Sequence, residues 1–131
     1  MTRIERRLLQ LAVALGCLVP IVAGAAGILL GPRLLGPGAV GSGDLDSHFR
    51  YLSGLLLAIG IGYATTIPRI ESRGTRFQWL TFCVVVGGAG RLVSLVTIGH
   101  PSSTTLAALA MELIVAPALA LWRHRIGRMR G

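Results

Sequence analysis

The fold of this protein is decided by residues 8–30, which read LLQLAVALGCLVPIVAGAAGILL. A single polar side chain, that of Gln10, interrupts this apolar run. A helix that crosses the hydrocarbon core of a bilayer needs about 20 mostly apolar residues, because it rises about 1.5 Å per residue through a core about 30 Å thick. The segment therefore predicts a transmembrane helix.

Three further segments have the same character, at residues 51–68, 77–98 and 105–122. The chain of 131 residues is 53% hydrophobic and 14% charged, and its mean hydropathy is +0.70. Soluble domains carry about 25% charged residues. We therefore expect an all-α integral membrane protein with four helices in an antiparallel bundle, forming one membrane domain over residues 1–131.

The thirteen arginines are distributed unequally between the two ends of these segments. Ten of them flank the first segment on its N-terminal side, connect the second to the third, or follow the fourth: Arg3, Arg6, Arg7, Arg69, Arg73, Arg76, Arg123, Arg125, Arg128 and Arg130. Only Arg33 and Arg50 fall on the opposite side. Because arginine accumulates in cytoplasmic loops, both termini are predicted to be cytoplasmic. The same distribution argues against nucleic-acid binding, despite a net charge of +8.

The connections are predicted from their glycine, proline and arginine content. Residues 31–50, rich in Gly and Pro, are expected to form an outer loop of turns rather than a helix. Residues 123–131 form a basic cytoplasmic tail, and we expect it to contact the anionic headgroups of membrane lipids. Either Ser102 or Ser103 is expected to cap the fourth helix.

Packing and kinks follow from small residues and prolines. Lipid provides no hydrophobic drive between helices, so close contact must hold them together. In the third segment, Gly87 and Gly88 share a face with Arg91 at helical spacing. Pro20 and Pro117 lie inside the first and fourth segments and predict local kinks there.

Two charged residues, Arg91 and Glu112, fall inside apolar segments. Each stands seven residues from the predicted outer end of its helix, about 10 Å below the outer boundary. An unpaired charge within a membrane helix costs several kcal/mol, so the two residues are expected to form an ion pair. Tyr51, Ser94 and Thr97 are candidates for the remaining hydrogen bonds.

Three interpretations of this pair stay open. It is a structural clamp that fixes the register of two helices, the floor of an outward-opening ligand cavity, or part of a proton path. Intramembrane ionisable residues are candidates for a functional site by default. The cavity interpretation is supported by a predicted outer polar cluster, Asp46, His48, Arg50, Ser94 and His100. The spacing of these groups does not predict a metal site.

Several short motifs occur together in this chain: Ser47-His-Phe-Arg-Tyr-Leu-Ser-Gly54, Gly87-Gly-Ala-Gly-Arg-Leu92, Gly99-His-Pro101 and Glu112. Together they resemble a family of small bacterial membrane proteins, the domain-of-unknown-function family 4345. The resemblance covers most of the chain from about residue 46 to residue 122. It implies a multi-pass, four-helix protein of the bacterial inner membrane, and it brings no established activity, substrate or catalytic residue.

We therefore expect a non-catalytic protein that binds a small hydrophobic or anionic molecule, or a lipid, at Arg91 and Glu112, or that assists a membrane protein partner. One alternative is a small membrane enzyme in which Glu112 or His48 acts as acid or base on a lipid-soluble substrate. A second is a purely structural subunit, alone or as a homo-oligomer. No catalytic residue, metal or cofactor is predicted, because the chain contains no Ser-His-Asp order, P-loop or HExxH pattern.

Overall fold

The computed structural model describes residues 2–99 and 102–128. The α-helices are α1, Arg3–Leu30; α2, Gly43–Thr66; α3, Gly74–Thr97; α4, Ser103–Ala110; and α5, Ala116–Arg128. A π-helical turn, Met111–Val115, joins α4 to α5, and short 3-10 helices lie at Gly31–Leu35, Pro37–Ala39 and Ile67–Arg69. Over these ranges the chain contains no strand, so the prediction of an all-α protein is confirmed.

Four helical segments are long and apolar enough to cross a membrane: Arg3–Leu35, Gly43–Arg69, Gly74–Thr97 and Ser103–Arg128. Most of their large apolar side chains face outward, among them Val22, Val96 and Ile114. In the apolar stretch of the fourth segment, 0% of the residues are buried. Apolar surface of this extent is typical of a protein that is covered by lipid or by a partner.

The helices extend beyond the predicted segments at their polar ends. α2 begins at Gly43, so the C-terminal part of the predicted outer loop is helical, with Asp44 and Asp46 in its first turn. Carboxylates are favourable there because the N-terminus of a helix carries partial positive charge. α5 continues to Arg128, so much of the predicted tail is also helical. Hydropathy finds only the apolar part of a helix, so the expectation of turns rather than a helix is wrong for residues 43–50.

The fourth helical segment begins with a side-chain cap. α4 starts at Ser103, and Ser102 is the residue that caps it. The Oγ atom of Ser102 accepts a hydrogen bond from the backbone N–H of Thr105 at 3.2 Å. This satisfies one of the backbone donors left free in the first turn of the helix. Of the two serines that the sequence offered, Ser102 is the cap.

The two internal prolines have different effects. α1 remains α-helical through Pro20, whereas Pro117 follows directly after the π-helical turn. The N–H of Ala116 donates to the carbonyl of Met111, five residues back instead of four. Pro117 has no N–H to offer to the carbonyl of Leu113, and its ring crowds that carbonyl. The widened turn accommodates the proline.

The chain forms two compact units. One comprises Val13–Thr65, and the other combines Met1–Ala12 with Thr66–Gly131. We call them the α1–α2 unit and the α3–α5 unit. The single domain expected over residues 1–131 stays a prediction.

The α1–α2 unit is held together by contact between backbones. A Cβ atom on Gly24 would lie 2.6 Å from the backbone nitrogen of Leu57 and 2.8 Å from the carbonyl oxygen of Ser53. A Cβ atom on Gly60 would lie 3.0 Å from the backbone nitrogen of Ile21. Such close approach requires glycine. The contacts run in opposite directions along the two helices, so α1 and α2 are antiparallel here.

The buried core of the α3–α5 unit lies at the end of the unit that contains the first turns of α1. Leu9 of α1, Ile70 of the connection and Ile126 of α5 are 0% exposed, and Phe77 of α3 is 1% exposed. Burying four large apolar side chains together stabilises this end by about 1.5–3 kcal/mol for each of them. In the predicted topology, this end is the cytoplasmic one.

Candidate functional site

The structure places Arg91 of α3 beside Glu112 of the π-helical turn. The Nε atom of Arg91 donates to both carboxylate oxygens, at 2.9 Å to Oε1 and 3.1 Å to Oε2. The side chain of Glu112 is 16% exposed and that of Arg91 is 42% exposed. The two opposite charges that the sequence places inside apolar segments thus meet in a salt bridge.

The two partners lie at different distances from the ends of their helices. Arg91 stands six residues before the end of α3 at Thr97, and Glu112 stands nine residues after the start of α4 at Ser103. These spacings correspond to about 9 Å and about 14 Å along the helix axes. The sequence predicted seven residues for both, and the early start of α4 explains most of the difference.

Gly88 brings α3 against the π-helical turn. A Cβ atom on Gly88 would lie 2.9 Å from the Cβ atom of Glu112 and 2.9 Å from Cδ2 of Leu113. Gly87 has no heavy atom within 4 Å of its Cβ position. Of the two glycines predicted to pack, only Gly88 therefore does so. π-helical turns occur frequently at functional sites, and this one holds the carboxylate of the pair.

The terminal nitrogens of Arg91 form no hydrogen bond with Glu112. Among the described residues of its own unit, the Nη1 and Nη2 atoms have no hydrogen-bond partner. The hydroxyl of Thr97 donates instead to the carbonyl of Val93, at 2.8 Å within α3. Ser94 is exposed and forms no hydrogen bond with Arg91 or Glu112 there. Ser94 and Thr97, two of the predicted additional partners, thus form no hydrogen bond with the guanidinium of Arg91.

The predicted outer polar cluster is divided between the units. Asp46, His48 and Arg50, together with the third predicted partner Tyr51, belong to the α1–α2 unit. Ser94 belongs to the α3–α5 unit, and His100 lies outside the described residues.

Arg50 caps the C-terminus of α1. Its Nε atom donates to Oδ2 of Asp46 at 2.7 Å, and its Nη2 atom donates to Oδ1 at 3.3 Å. The Nη1 atom donates to the carbonyl oxygens of Ile28 and Leu29. Gly31 follows with φ +65, the left-handed conformation that ends many helices. Asp46 and Arg50 therefore have a structural task, which is to close the end of α1.

His48 is exposed and stands beside an aromatic ring. Its ring centroid lies 6.4 Å from that of Tyr51, with the two planes inclined by 38°. Within residues 2–99 and 102–128, no group of three or more His, Cys, Asp or Glu side chains is arranged to hold a metal ion. His48 therefore has no carboxylate and histidine set around it that would form a metal centre in this part of the chain.

Comparison with known proteins identifies the family. The model of the family described as "Domain of unknown function (DUF4345)" matches residues 8–123. The chain belongs to the DUF4345 family. The match includes both Arg91 and Glu112, and it confirms the resemblance that the sequence motifs carry. No match was found among the curated proteins or among the solved structures.

A second polar network in this DUF4345 chain is absent from the sequence predictions. Arg123 is only 7% exposed. Its Nε atom donates to the carbonyl oxygen of Ile70 at 2.9 Å, and its Nη2 atom donates to that of Glu71 at 2.6 Å. The carboxylate of Glu71 accepts a hydrogen bond from Nε of Arg6 at 3.0 Å. The available signal was Glu71, the one acidic residue in an arginine-rich connection.

The same connection is held from α1 by an amide. The Nε2 atom of Gln10 donates to the carbonyl oxygen of Ile67 at 2.7 Å. Arg6 adds a hydrogen bond from Nη2 to the carbonyl oxygen of Pro68 at 3.0 Å. Arg6 and Gln10, at the start of α1, thus donate hydrogen bonds to backbone carbonyls of the connection.

Proposed function

We propose that this DUF4345 protein is a non-catalytic membrane protein that binds a small molecule or lipid through an anionic group at Arg91 and Glu112. In this proposal, the four apolar segments cross a bacterial inner membrane as an antiparallel bundle, with both termini in the cytoplasm. The observation that carries the proposal is the partly satisfied guanidinium of Arg91, which lies within an apolar helix.

Arg91 uses one of its three nitrogen atoms for the salt bridge. The other two carry four N–H donors, on a side chain that is 42% exposed. In a bilayer no water satisfies such donors, and each one left unpaired costs free energy. A carboxylate or a phosphate presents two oxygen atoms that match the geometry of the two terminal nitrogens. An amphiphile with such a group would complete the site.

Glu112 supports this binding in two ways. It holds the guanidinium through Nε, so the terminal nitrogens are oriented before a ligand arrives, which reduces the entropic cost of binding. It also neutralises Arg91, so the site carries no net charge before binding. A neutral site in a medium of low dielectric constant favours a singly charged group over a doubly charged one. We therefore expect a carboxylic acid or a phosphodiester.

The geometry favours binding over catalysis. Both carboxylate oxygens of Glu112 accept from Arg91, so a proton-transfer role would require the salt bridge to break. His48, the other candidate acid or base, is exposed and belongs to the α1–α2 unit. Among the described residues, neither Glu112 nor His48 forms a hydrogen bond with a histidine, a tyrosine or a second carboxylate that would orient it as an acid–base pair.

Native mass spectrometry of the full chain, extracted in mild detergent, tests the proposal. Oleate serves as the probe, and wild type is compared with the variants Arg91→Lys and Arg33→Lys. Arg91→Lys keeps the charge but removes the forked pair of donors. The control, Arg33→Lys, makes the same replacement at an exposed arginine of the α1–α2 unit.

The expected result is one bound oleate per chain in wild type and in Arg33→Lys, with roughly tenfold weaker binding in Arg91→Lys, since hydrogen bonds to charged groups are worth about 1.5–3 kcal/mol. Equal binding by all three proteins would overturn the proposal. The pair would then be a structural clamp.

A further inference from the structure

We infer that the exposed face of α5 binds a phospholipid with a negatively charged headgroup. The inference rests on the proposed membrane location, but it does not depend on a ligand at Arg91. The face consists of Leu121, His124, Arg125 and Arg128, which line an open depression of about 430 Å³. We call it the basic face of α5.

His124, Arg125 and Arg128 stand three, four and seven positions after Leu121, so all four residues lie on one side of the helix. A different side of α5 packs against the rest of its unit, where Arg123 is 7% exposed and Ile126 is 0% exposed. All four residues of the basic face are exposed, and Leu121 is 70% exposed. The basic face is thus left uncovered by the described part of its own unit.

The positive charge of the basic face of α5 favours a negatively charged ligand. Two arginines and a histidine line the depression, and no carboxylate of the described residues does. Arg125 and Arg128 stand one turn apart, which lets both guanidinium groups approach the same phosphate. Among the described residues, neither arginine forms a salt bridge. The depression is also within the size range of ordinary small-molecule sites, which is about 300–1,000 Å³.

The exposed apolar side chains beside the arginines favour a lipid over a free anion, because they can contact acyl chains. Ile114 is 66% exposed and Leu121 is 70% exposed, and Ala118 is exposed between them. Spacings of four and three residues align these side chains along the same side of the helix, and Arg125 follows four residues later. An apolar strip that ends in basic groups matches acyl chains that end in a phosphate. A free phosphate would use only the basic end.

Lipid titration of the full chain in detergent micelles tests this inference. Phosphatidylglycerol or phosphatidylcholine with identical acyl chains is added, and bound lipid is counted by native mass spectrometry. The test variant is Arg125→Gln/Arg128→Gln. Its matched control is Arg3→Gln/Arg7→Gln, which removes the same charge from two exposed residues on the same predicted side of the membrane.

Wild type and the control are expected to bind phosphatidylglycerol in preference to phosphatidylcholine. In Arg125→Gln/Arg128→Gln, the affinity for phosphatidylglycerol should fall roughly 10- to 30-fold, because each basic residue near the headgroups contributes to anionic lipid binding. The affinity for phosphatidylcholine should not change. A second variant, Leu121→Asn, should weaken binding of both lipids through loss of apolar contact.

Three outcomes would overturn the inference. Equal losses in the two double variants would indicate unspecific attraction by net charge. Equal binding of the two lipids by wild type would exclude recognition of the headgroup charge. Displacement of phosphatidylglycerol by millimolar inorganic phosphate would identify a site for a free anion. Because oleate binding at Arg91 is measured with other variants, either proposal can fail without the other.

Discussion

A Cβ atom on Gly88 would lie 2.9 Å from the Cβ atom of Glu112, next to the salt bridge that Glu112 forms with Arg91. A close contact between α3 and the π-helical turn and the two intramembrane charges predicted from the sequence therefore occur at one level of the α3–α5 unit. Packing and electrostatics depend on each other there, because any separation of the two backbones also stretches the ion pair.

Gly88→Ala should destabilise the protein. The added methyl group meets Glu112 and Leu113, and overpacking of this kind costs about 1–3 kcal/mol. Gly87→Ala is the matched control, since its Cβ position has no heavy atom within 4 Å. The control should gain up to about 1 kcal/mol from helix propensity. Thermal unfolding in detergent, followed by circular dichroism, should give a lower Tm for Gly88→Ala, and equal Tm values would contradict the close contact.

Reversal of the charges at the salt bridge should show rescue. Arg91→Glu leaves two carboxylates together, and Glu112→Arg leaves two guanidinium groups, so each single variant should lose most of its folded yield. The double reversal restores opposite charges and should recover a large part of it. Size-exclusion chromatography of fluorescent fusions measures the yield. A double variant no better than either single one would count against a stabilising pair.

Pro117→Ala should uncouple Arg91 from Glu112. Alanine restores the N–H that an α-helix needs, so the π-helical turn can revert, which rotates α4 relative to α5 by about 100° per residue of shift. A double-mutant cycle with Arg91→Gln and Glu112→Gln should then give a coupling free energy near zero. In wild type the coupling should fall between about 0.5 and 3 kcal/mol.

The control for that cycle is Pro20→Ala. α1 is already α-helical through Pro20, so its replacement should leave the coupling between Arg91 and Glu112 unchanged. If Pro20→Ala abolished the coupling as completely as Pro117→Ala, the π-helical turn would not be its cause.

Arg123→Lys should lower the stability of the buried core formed by Leu9, Ile70, Phe77 and Ile126. Lysine has one nitrogen and cannot donate to the carbonyls of Ile70 and Glu71 in the forked geometry of arginine. A buried carbonyl left without a donor costs about 1–3 kcal/mol. Arg125→Lys, at an exposed position of the same helix, should leave Tm within about 1 °C of wild type. A similar Tm for both variants would show that Arg123 is not a structural residue.

The predicted topology is tested by fusions at the C-terminus. A green fluorescent protein should fluoresce there and alkaline phosphatase should be inactive, because both termini are expected on the cytoplasmic side. The same fusions placed after residue 40, in the outer loop, should behave in the opposite way. An active phosphatase at the C-terminus would reverse the proposed orientation.

Much of the helical organisation could be predicted because it follows from local properties of the sequence. The length of each apolar run defines a segment able to cross a bilayer, and Ser102 follows the rule for helix caps. The meeting of Arg91 and Glu112 is a consequence of the cost of isolated charge in an apolar segment. Each of these inferences depends only on the sequence of one segment, or of two segments that follow each other along the chain.

Features that depend on distant parts of the chain could not be predicted. The burial of Arg123 requires backbone carbonyls 52 and 53 residues away. Gly24 was recognisable as a small residue, but its partners Ser53 and Leu57 depend on the register of two helices. The π-helical turn is a subtler case, because a proline predicts a disturbance without specifying whether the helix bends or widens.

The connection between α2 and α3 accepts hydrogen bonds from residues of both α1 and α5, and these form at different times during synthesis. Arg6 and Gln10 bind its carbonyls from α1, and Arg123 binds them from α5. The ribosome synthesises α1 and the connection well before Arg123. The carbonyls of Ile70 and Glu71 therefore lack their arginine donor until α5 has left the exit tunnel. The α1–α2 unit has all of its own contacts earlier. Synthesis therefore ends when α5 completes the hydrogen bonds of the connection, so a chain truncated before α5 should be a substrate for membrane quality-control proteases.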